Sequence, residues 1–334
     1  MSADNPQICF VQCYYGAWPH YWRLWADSAA ANSEIRFILV TDLGPPDFVP
    51  ANVTIIKMNL KEVIERLSKV LGFELKIFGY HKLCDARPFY GLAFNDILEK
   101  FDYWGYCDMD VIFGNLDPLI HLAKLEFDVI SPWTHTVGHC TLIRNDKLVN
   151  EMPLKIPNLR TRFSQVGTTF LDEGGYFEVC VAKEGLRFKG VSCLINEWAK
   201  KICFLGATFH HWNIIWGTEN MKNFAVICDK KSVTLITPTG QKHEVLYFHF
   251  MAAKNKRFWR HLEGKLAFPF TFLPYGFVPR LVAAQELHSF GFLIRCTTTR
   301  IRSNIYRIPR ELTPNFIIQI IKKIRVAVRG LRRT

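Results

Sequence analysis

Two carboxylates that follow an apolar run constrain the fold of this 334-residue chain more than any other feature. Asp108 and Asp110 come directly after residues 101–107, an aromatic-rich segment typical of a buried strand. Because side chains alternate along a strand, both carboxylates leave its carboxyl end on one face, where open α/β sheets bind ligands. Hard oxygen ligands there suit Mg²⁺ or Mn²⁺ carrying a diphosphate. A solvated turn or cap is the alternative interpretation of the pair.

The composition predicts a globular chain with one large α/β domain or two domains. Apolar residues make up 49% and aromatic residues 14%, which leaves little room for disorder. The ten cysteines form no Cys-x-x-Cys pair and are interpreted as reduced core residues of a cytoplasmic protein. The amino-terminal residues lack the basic and apolar parts of a secretory signal. No segment approaches the roughly 20 apolar residues of a membrane span, so we expect a soluble or peripheral protein.

The net charge of +12 is concentrated in residues 300–334, where ten Lys and Arg residues face the single Glu311 and supply +9. Thr313 and Pro314 are typical of a helix start. Residues 313–334 then place isoleucines on one helical face and Lys and Arg on the other. We expect peripheral attachment to an anionic bilayer, with docking on the protein's own core as the alternative. No recognised nucleic-acid module accompanies the charge, so no nucleic-acid partner is expected.

Hydrophobic periodicity predicts a βαβ start, with strands at 8–14 and 36–40 around a helix at 17–31. A strand at 53–56 precedes a helix from Asn59 to about Val70, with Glu62 completing a capping box. The remaining predictions are a helix at 85–100, strands at 127–130, 140–144, 224–227, 232–236 and 245–250, a polar turn at Gly138-His139, and a loop-rich cleft region broken by Pro153, Pro157 and Gly174-Gly175.

A metal held by two carboxylates usually gains a further protein ligand, and His249 is the candidate. Lys254 and Lys256 follow it, placed to neutralise phosphate oxygens. His210 and His211 are rival ligands, and a purely structural histidine is the alternative for His249.

Taken together, these motifs resemble the GT-A nucleotide-sugar glycosyltransferases, similar to the glycogenin and bacterial lipooligosaccharide galactosyltransferase group. A closer resemblance, over residues 7–260, is to a bacterial family found among capsule and O-antigen synthesis proteins and often known only as a domain of unknown function. The segments that carry it are His81-Lys-Leu-Cys-Asp85-Ala-Arg-Pro88, Tyr103-Trp-Gly-Tyr-Cys-Asp108-Met-Asp110-Val-Ile-Phe-Gly114, Gly138-His139-Cys-Thr-Leu-Ile-Arg144-Asn145 and Tyr247-Phe-His249-Phe250.

The resemblance implies a donor site at the ends of the first two strands. Gln12, Tyr14 and Tyr15, together with Thr41 and Asp42, would border the nucleotide base and ribose. Asp108 would touch ribose and metal, and Asp110 would ligate the metal directly. Lys82, Asp85 and Arg87 lie where related enzymes place a basic residue that reaches the donor sugar or phosphate, while Lys254 would contact the diphosphate. An ion pair that orients a helix is an equal alternative for Lys82 and Asp85.

On the acceptor side the resemblance points to Asp172 and Glu173. A base there would deprotonate the acceptor hydroxyl if the reaction inverts the anomeric centre, whereas in a retaining enzyme a carboxylate would orient the acceptor. A turn cap is the alternative. His139 either lines the same cleft or makes a structural hydrogen bond.

The sequence therefore predicts an α/β protein with a GT-A, Rossmann-like mixed sheet over residues 1–265, an extension over 266–312 and the basic amphipathic helix over 313–334. Its expected activity is Mn²⁺- or Mg²⁺-dependent transfer from a UDP-sugar to a lipid-linked or polysaccharide acceptor, at the cytoplasmic face of a bacterial membrane. The alternatives are a haloacid-dehalogenase-type phosphotransferase, which places Asp-x-Asp on the first strand, and a noncatalytic membrane-associated assembly factor.

Overall fold

The computed structural model describes residues 5–77, 79–132, 136–173, 188–190, 204–206, 224–237, 239–250, 266–273, 276–278 and 281. Its strands are β1 (Ile8–Cys13), β2 (Ile35–Thr41), β3 (Val53–Lys57), β4 (Tyr103–Cys107), β5 (Val111–Phe113), β6 (Val129–Ser131), β7 (Cys140–Arg144), β8 (Phe188–Gly190), β9 (Phe204–Gly206), β10 (Ala225–Asp229), β11 (Ser232–Ile236), β12 (Lys242–Val245), β13 (Tyr247–His249), β14 (Phe270–Leu273) and β15 (Gly276–Val278). Its α-helices are α1 (Trp22–Ala30), α2 (Leu60–Leu71), α3 (Tyr90–Ala93), α4 (Asn95–Leu98), α5 (Asp117–Lys124), α6 (Lys147–Glu151) and α7 (Leu159–Ser164), and 3-10 helices span Tyr80–Phe89 and Met152–Lys155.

The main sheet has the strand order β3-β2-β1-β4-β7-β6-β8 within the described ranges. Strands β3, β2, β1 and β4 run parallel, whereas β7 is antiparallel to both β4 and β6. Along β1, Ile8 and Phe10 join one core cluster, while Cys9 and Val11 join the cluster on the opposite face. Burial of both faces is typical of a sheet covered on two sides. The predicted α/β class with a mixed sheet is confirmed.

Helix α2 begins with the predicted capping box. The Asn59 side chain accepts a hydrogen bond from the Glu62 backbone N–H at 3.0 Å, and the Glu62 carboxylate accepts one from the Asn59 N–H at 2.6 Å. Two amide groups that the first turn would otherwise leave unpaired are thereby satisfied. Gly72 ends the helix in the left-handed region, with φ 72°.

The continuous helix predicted at 85–100 is wrong. The chain there forms the 3-10 helix Tyr80–Phe89 followed by the single turns α3 and α4. Pro88 lies inside the 3-10 helix, lacks an N–H group and disfavours α-helical geometry at Arg87 before it. The side chains of this segment are accordingly presented at spacings that an α-helix would not give.

The strand predicted at 245–250 is confirmed only over β13 (Tyr247–His249), because the chain changes partner at Leu246. Strand β12 pairs with β11 in an antiparallel sheet of order β12-β11-β10-β14-β15, whereas β13 pairs with β5 and β9. The Gly114 N–H donates to the Leu246 carbonyl at 2.7 Å, an approach that only glycine allows, since a Cβ there would lie 2.7 Å from the Val245 carbonyl. This exchange places His249 directly opposite Val111.

Candidate active site

Asp108 and Asp110 follow β4 at the carboxyl end of the parallel strands. The backbone N–H of Asp108 donates to the carbonyl of His139, at the start of the neighbouring strand β7, at 3.4 Å. Asp110 is buried, whereas the Asp108 side chain remains 25% exposed. One carboxylate is thus held inside the sheet edge and the other faces its rim.

His249 reaches these carboxylates through strand pairing. It lies opposite Val111, the residue after Asp110, and the Phe250 N–H donates to the Asp110 carbonyl at 3.0 Å. The His249 Nε2 atom lies 3.3 Å from Asp110 Oδ1 and 3.5 Å from Asp108 Oδ2. The structure therefore brings His249 to an Asp pair that precedes it by about 140 residues.

The geometry of this triad fits a divalent cation. One ligand atom from each of Asp108, Asp110 and His249 can be chosen so that all lie within 4.8 Å of one another. Neighbouring ligands of an octahedral ion with bonds of about 2.1 Å lie about 3 Å apart, close to the two imidazole–carboxylate distances. The two carboxylate oxygens suit Mn²⁺ or Mg²⁺, whereas the imidazole nitrogen is a ligand typical of transition metals and so favours Mn²⁺ of the two.

Arg87 links this triad to the predicted acceptor side. Its Nη2 donates to Asp108 Oδ1 at 2.5 Å, and its Nη1 donates to Asp172 Oδ2 at 3.0 Å and to the Gly138 carbonyl at 2.9 Å. Burial favours the neutral form of the guanidinium, but Asp108 and then Asp172 favour the cation, and the pKa of Arg87 lies well above its usual value. A permanent positive charge therefore lies between the two carboxylates.

Asp172 is a buried carboxyl whose proton affinity is unusual. Burial raises its pKa to about 7, against the lowering effect of Arg87, and the charges of Glu173 and Asp108 add to the rise. Glu173 is half-buried, and its Oε1 accepts a hydrogen bond from the Gly138 N–H at 3.0 Å. A side chain at Gly138 would intrude on this arrangement, because its Cβ would lie 2.5 Å from Asp172 Oδ2 and 2.6 Å from Arg87 Nη1.

Lys82 and Asp85 form a buried ion pair, which we call the clamp. Lys82 Nζ lies 2.9 Å from Asp85 Oδ2 and also donates to the carbonyls of Arg162 and Gly167 at 2.8 and 2.9 Å. Of the two roles predicted for Lys82 and Asp85, a donor contact or an ion pair, the structure shows the ion pair. Sequence reasoning missed that the pair reaches a distant loop.

The other half of the clamp holds the backbone just before Asp172. The Asp85 carboxylate accepts hydrogen bonds from the Thr169 N–H at 2.9 Å, the Thr169 hydroxyl at 3.2 Å and the Leu171 N–H at 3.2 Å. Charge-assisted hydrogen bonds of this kind are stronger than neutral ones. The position of Asp172 is therefore fixed from Asp85 on one side and from Arg87 on the other.

His139 lies beside the triad. Its ring centroid is 4.6 Å from that of His249, and its Nδ1 is 2.8 Å from the Tyr247 hydroxyl. His139 therefore makes the structural hydrogen bond that was one of its two predicted alternatives, and its ring lies beside that of His249. Tyr247 was missed by sequence reasoning, although it lies two residues before His249 and so on the same face of β13.

The residues predicted for the nucleotide lie at the ends of β1 and β2. Gln12 is buried, and its Oε1 has no hydrogen-bond partner among the described residues. The Tyr14 ring stacks on Trp18 with centroids 5.8 Å apart. Thr41 is buried and accepts a hydrogen bond from the Leu43 N–H, whereas Asp42 is exposed.

Two further tyrosines belong to this region. The Tyr15 hydroxyl donates to the Met58 carbonyl at 3.1 Å, a structural contact beside the predicted base site. Tyr21 is buried near the metal triad, where burial and then the charge of Asp110 raise the pKa of its hydroxyl. Nothing in the sequence pattern distinguished Tyr21 from the other aromatic residues of its segment.

Several predicted features lie outside the described residues. They are Lys254, Lys256, His210, His211, Gly174-Gly175, most of the 266–312 extension and the helix at 313–334. Among the helices that the structure does describe, none combines the length and apolar character that crossing a membrane requires.

Comparison with solved structures finds glycosyltransferases. Two structures of the glycosyltransferase GlyE from Streptococcus pneumoniae TIGR4 match with TM-scores of 0.32 and 0.34 at 15% and 17% identity, covering 55% and 56% of this chain. The matches cover 44% and 45% of GlyE, so this chain spans less than half the length of that protein. Mouse xyloside xylosyltransferase 1 matches with a TM-score of 0.36 at 9% identity, over 60% of this chain and 87% of the mouse chain.

No curated protein matches the sequence. A protein-family model does, over residues 10–273, which include every candidate site residue that the structure describes. That model is described as a family of unknown function, DUF6625. The chain is a member of the DUF6625 family.

Proposed function

We propose that this protein is a metal-dependent glycosyltransferase of the GT-A type, which transfers a sugar from a nucleotide-sugar, preferably a UDP-sugar, to a glycan or lipid-linked acceptor. The observation that carries the proposal is the triad of Asp108, Asp110 and His249 at the carboxyl end of parallel strands. That edge is the ligand-binding edge of open α/β sheets. The donor set suits a divalent cation on a diphosphate.

The donor is proposed to lie across the ends of β1, β2 and β4. Tyr14 and Gln12 would border the base, and Thr41 and Asp42 the ribose, as the sequence resemblance implies. The Gln12 carbonyl oxygen supports this assignment, because a buried acceptor without a partner among the described residues is costly unless a ligand or water satisfies it. The site would open at Asp42 and Asp108, the more exposed members.

When bound, Mn²⁺ or Mg²⁺ would neutralise negative charge on the departing nucleoside diphosphate. The protein's own residues hold the metal-binding carboxylates in position. Asp110 is buried beside His249, and Arg87 holds Asp108 by a hydrogen bond to its Oδ1. Lys254, which lies outside the described residues, is proposed to meet the phosphates as a second positive charge.

Asp172 and Glu173 are proposed to meet the acceptor hydroxyl. A carboxyl with a pKa of about 7 is suited to take up a proton near neutral pH, as an inverting reaction requires. In a retaining reaction the same carboxylates would orient the hydroxyl. The hydrogen bonds of Arg87 and Gly138 to these carboxylates set the acceptor side in a fixed relation to the metal triad.

The proposed setting is bacterial capsule, O-antigen or lipopolysaccharide synthesis at the cytoplasmic face of the membrane. The motif resemblance to proteins of those pathways supports it, as does the basic amphipathic pattern of residues 313–334. Growing polysaccharides on lipid carriers are membrane-bound acceptors, so an anchored enzyme would meet them at the surface.

The phosphotransferase alternative is less well supported. It needs the Asp-x-Asp pair after the first strand, whereas here β1 ends at Cys13 and the pair follows β4. A noncatalytic assembly factor remains the second candidate, and turnover separates it from the enzyme.

Calorimetry of UDP binding with and without Mn²⁺ tests the proposal. The wild type should bind UDP only with the metal, and Asp110→Asn should weaken this binding by about a hundredfold because it removes a charged ligand. The exposed Asp47→Asn variant is the matched control and should bind normally. Metal-independent binding, or equal binding by both variants, would remove the metal assignment.

A further inference from the structure

Phe170 is displayed at the surface next to the proposed acceptor carboxylate. Its side chain is 57% exposed, and it lies two residues before the buried Asp172. Its backbone has φ 54°, in the left-handed region that bulky residues rarely adopt. An exposed phenylalanine in a disfavoured conformation requires an explanation from its surroundings.

The surroundings hold Phe170 in this conformation from both sides. The N–H groups of Thr169 and Leu171 both donate to Asp85, which is completely buried and paired with Lys82. The Phe170 carbonyl accepts a hydrogen bond from the Glu173 N–H at 3.1 Å. Disfavoured backbone persists only where neighbouring structure over-determines it, and such positions cluster at ligand sites. The hydrogen bonds to Asp85 therefore hold the Phe170 backbone in the conformation that exposes its ring.

The neighbours of Phe170 indicate which class of ligand could bind to its ring. Thr168 and Thr169 are half-buried and Gly167 is exposed, so small groups adjoin the ring along the chain, and among residues 160–173 Val166 is the one other exposed apolar side chain. A lipid chain needs continuous apolar surface, whereas a pyranose ring offers one apolar C–H face edged by hydroxyls. The carboxylates of Asp172 and Glu173 follow within three residues, and the half-buried Glu173 is the more accessible acceptor for those hydroxyl hydrogen bonds, since Asp172 is only 3% exposed.

We propose that Phe170 is the stacking platform of an acceptor-sugar subsite, which binds the acceptor's terminal pyranose ring while the neighbouring carboxylates bind its hydroxyls. This inference rests on the proposed glycosyltransferase activity and names its acceptor class as a saccharide. Phe170 acts by contact with the acceptor, and it has no role in donor or metal binding.

Saturation-transfer NMR on the full chain tests the subsite with defined probes. These are the methyl β-glycosides of glucose, galactose and N-acetylglucosamine, together with monomeric octyl β-glucoside, whose ring and chain protons report separately. The ring protons of at least one probe should be saturated by the wild type, and Phe170→Ala should reduce the signal about threefold to tenfold because the stacking face is lost. Ala keeps a Cβ, so the backbone requirement is unchanged.

Two variants and one measurement complete the test. Phe170→Tyr should retain binding, and Leu148→Ala, at an exposed position of helix α6, should leave it intact. Mn²⁺-dependent UDP binding should be equal in all variants, and its absence from the wild type would defeat the proposed function but not the subsite. Absence of ring saturation in the wild type, undiminished signals in Phe170→Ala, or saturation of the octyl chain alone would overturn the saccharide subsite.

Discussion

The carboxylates of Asp108 and Asp172 are held on the two ends of one guanidinium, that of Arg87. The donor–acceptor distances are 2.5 Å to Asp108 and 3.0 Å to Asp172, and all three side chains are largely shielded from solvent. Asp108 belongs to the proposed metal site and Asp172 to the proposed acceptor site. The relative position of the two halves of the site therefore depends on a single side chain.

Replacing Arg87 should damage both halves together. Arg87→Met leaves two carboxylates without their cation in a buried setting, which should lower the free energy of unfolding by about 3–5 kcal/mol. Arg87→Lys keeps the charge but not the two-ended geometry, so it should retain more stability while transfer falls. Urea denaturation and turnover measure the two effects.

The matched control for Arg87 is Lys61→Met, which removes an exposed cation from an i,i+4 pair with Glu65. Exposed pairs contribute little, so this variant should match the wild type. A stable Arg87→Met protein with normal turnover would show that the guanidinium does not organise the site.

Asp172 should make the stability of the metal-free protein fall as pH rises. Its pKa is raised from 3.8 to about 7, so between these values the folded protein keeps a proton that the unfolded chain has released. The contribution to stability is complete below pH 4 and is lost as pH passes about 7. Denaturation of wild type and Asp172→Asn at pH 5 and pH 8 measures it, and the variant should show the smaller difference.

Asp96 is a control in which the pKa shift has the opposite direction. The hydrogen bond from Arg66 lowers the pKa of this exposed carboxyl. Asp96→Asn should remove only a small contribution, one that is present above the unfolded pKa and lost on acidification. An Asp172→Asn protein whose stability varies with pH as steeply as the wild type would contradict the raised pKa.

The clamp should matter more for the position of Asp172 than for the stability of the fold. Asp85→Asn leaves Lys82 buried without its partner and should destabilise the fold by about 3–5 kcal/mol. The double variant Lys82→Met with Asp85→Leu replaces the pair by apolar groups, so the part of the loss caused by an unpaired buried charge should return. Its stability should stay below that of the wild type, because the backbone groups that the pair bonds lose their partners. Transfer should stay low in the double variant, because the Thr169 and Leu171 amides still lack their acceptor.

Donor binding distinguishes a displaced Asp172 from a general loss of folding. Mn²⁺-dependent UDP binding should be normal in the double variant while kcat falls about a hundredfold, a displacement effect. Replacing the pair of the half-buried Arg66 and the exposed Asp96 in the same way should change neither quantity. Full turnover in the double clamp variant would rule out the positioning role.

Gly138 should tolerate no side chain, because its Cβ position lies 2.5 Å from Asp172 Oδ2. Gly138→Ala must displace either that carboxylate or Arg87, so transfer should fall about tenfold or more. Gly44→Ala is the matched control, since a Cβ added at Gly44 would meet no atom within 4 Å and the φ of Gly44 is not in the left-handed region. Equal kcat values for the two variants would show that the contact is unimportant.

The parts of the site that follow from local pattern were predictable from the sequence. Strand alternation places Asp108 and Asp110, and cap chemistry places the start of α2 at Asn59. The remaining parts depend on contacts across the fold. Asp85 binds the amides of residues 84 and 86 positions later in the chain, and no local period reports such a contact.

Two segments differ from their predictions, and the causes are different. Pro88 breaks the helix predicted at 85–100, and the result is a tight 3-10 segment in which Lys82 and Asp85 pair with each other while Arg87 reaches Asp108. At Leu246 the strand changes sheets because Gly114 lies against it, a contact that depends on tertiary structure. The raised pKa of Asp172 likewise arises from burial, which the sequence does not display.

Deleting residues 313–334 should release the protein from anionic membranes. The segment carries six Lys and Arg residues and no acidic residue, and each cation near an anionic surface contributes about 1 kcal/mol. Sedimentation with phosphatidylglycerol vesicles at low salt should pellet the full chain but not the truncated one, and neutral vesicles should bind both weakly. A variant with Gln at Lys322, Lys323 and Arg325 keeps the helical pattern and should bind in between. Because the site residues lie within 10–273, Mn²⁺-dependent UDP binding should survive the deletion, whereas equal pelleting of both proteins would contradict the anchor.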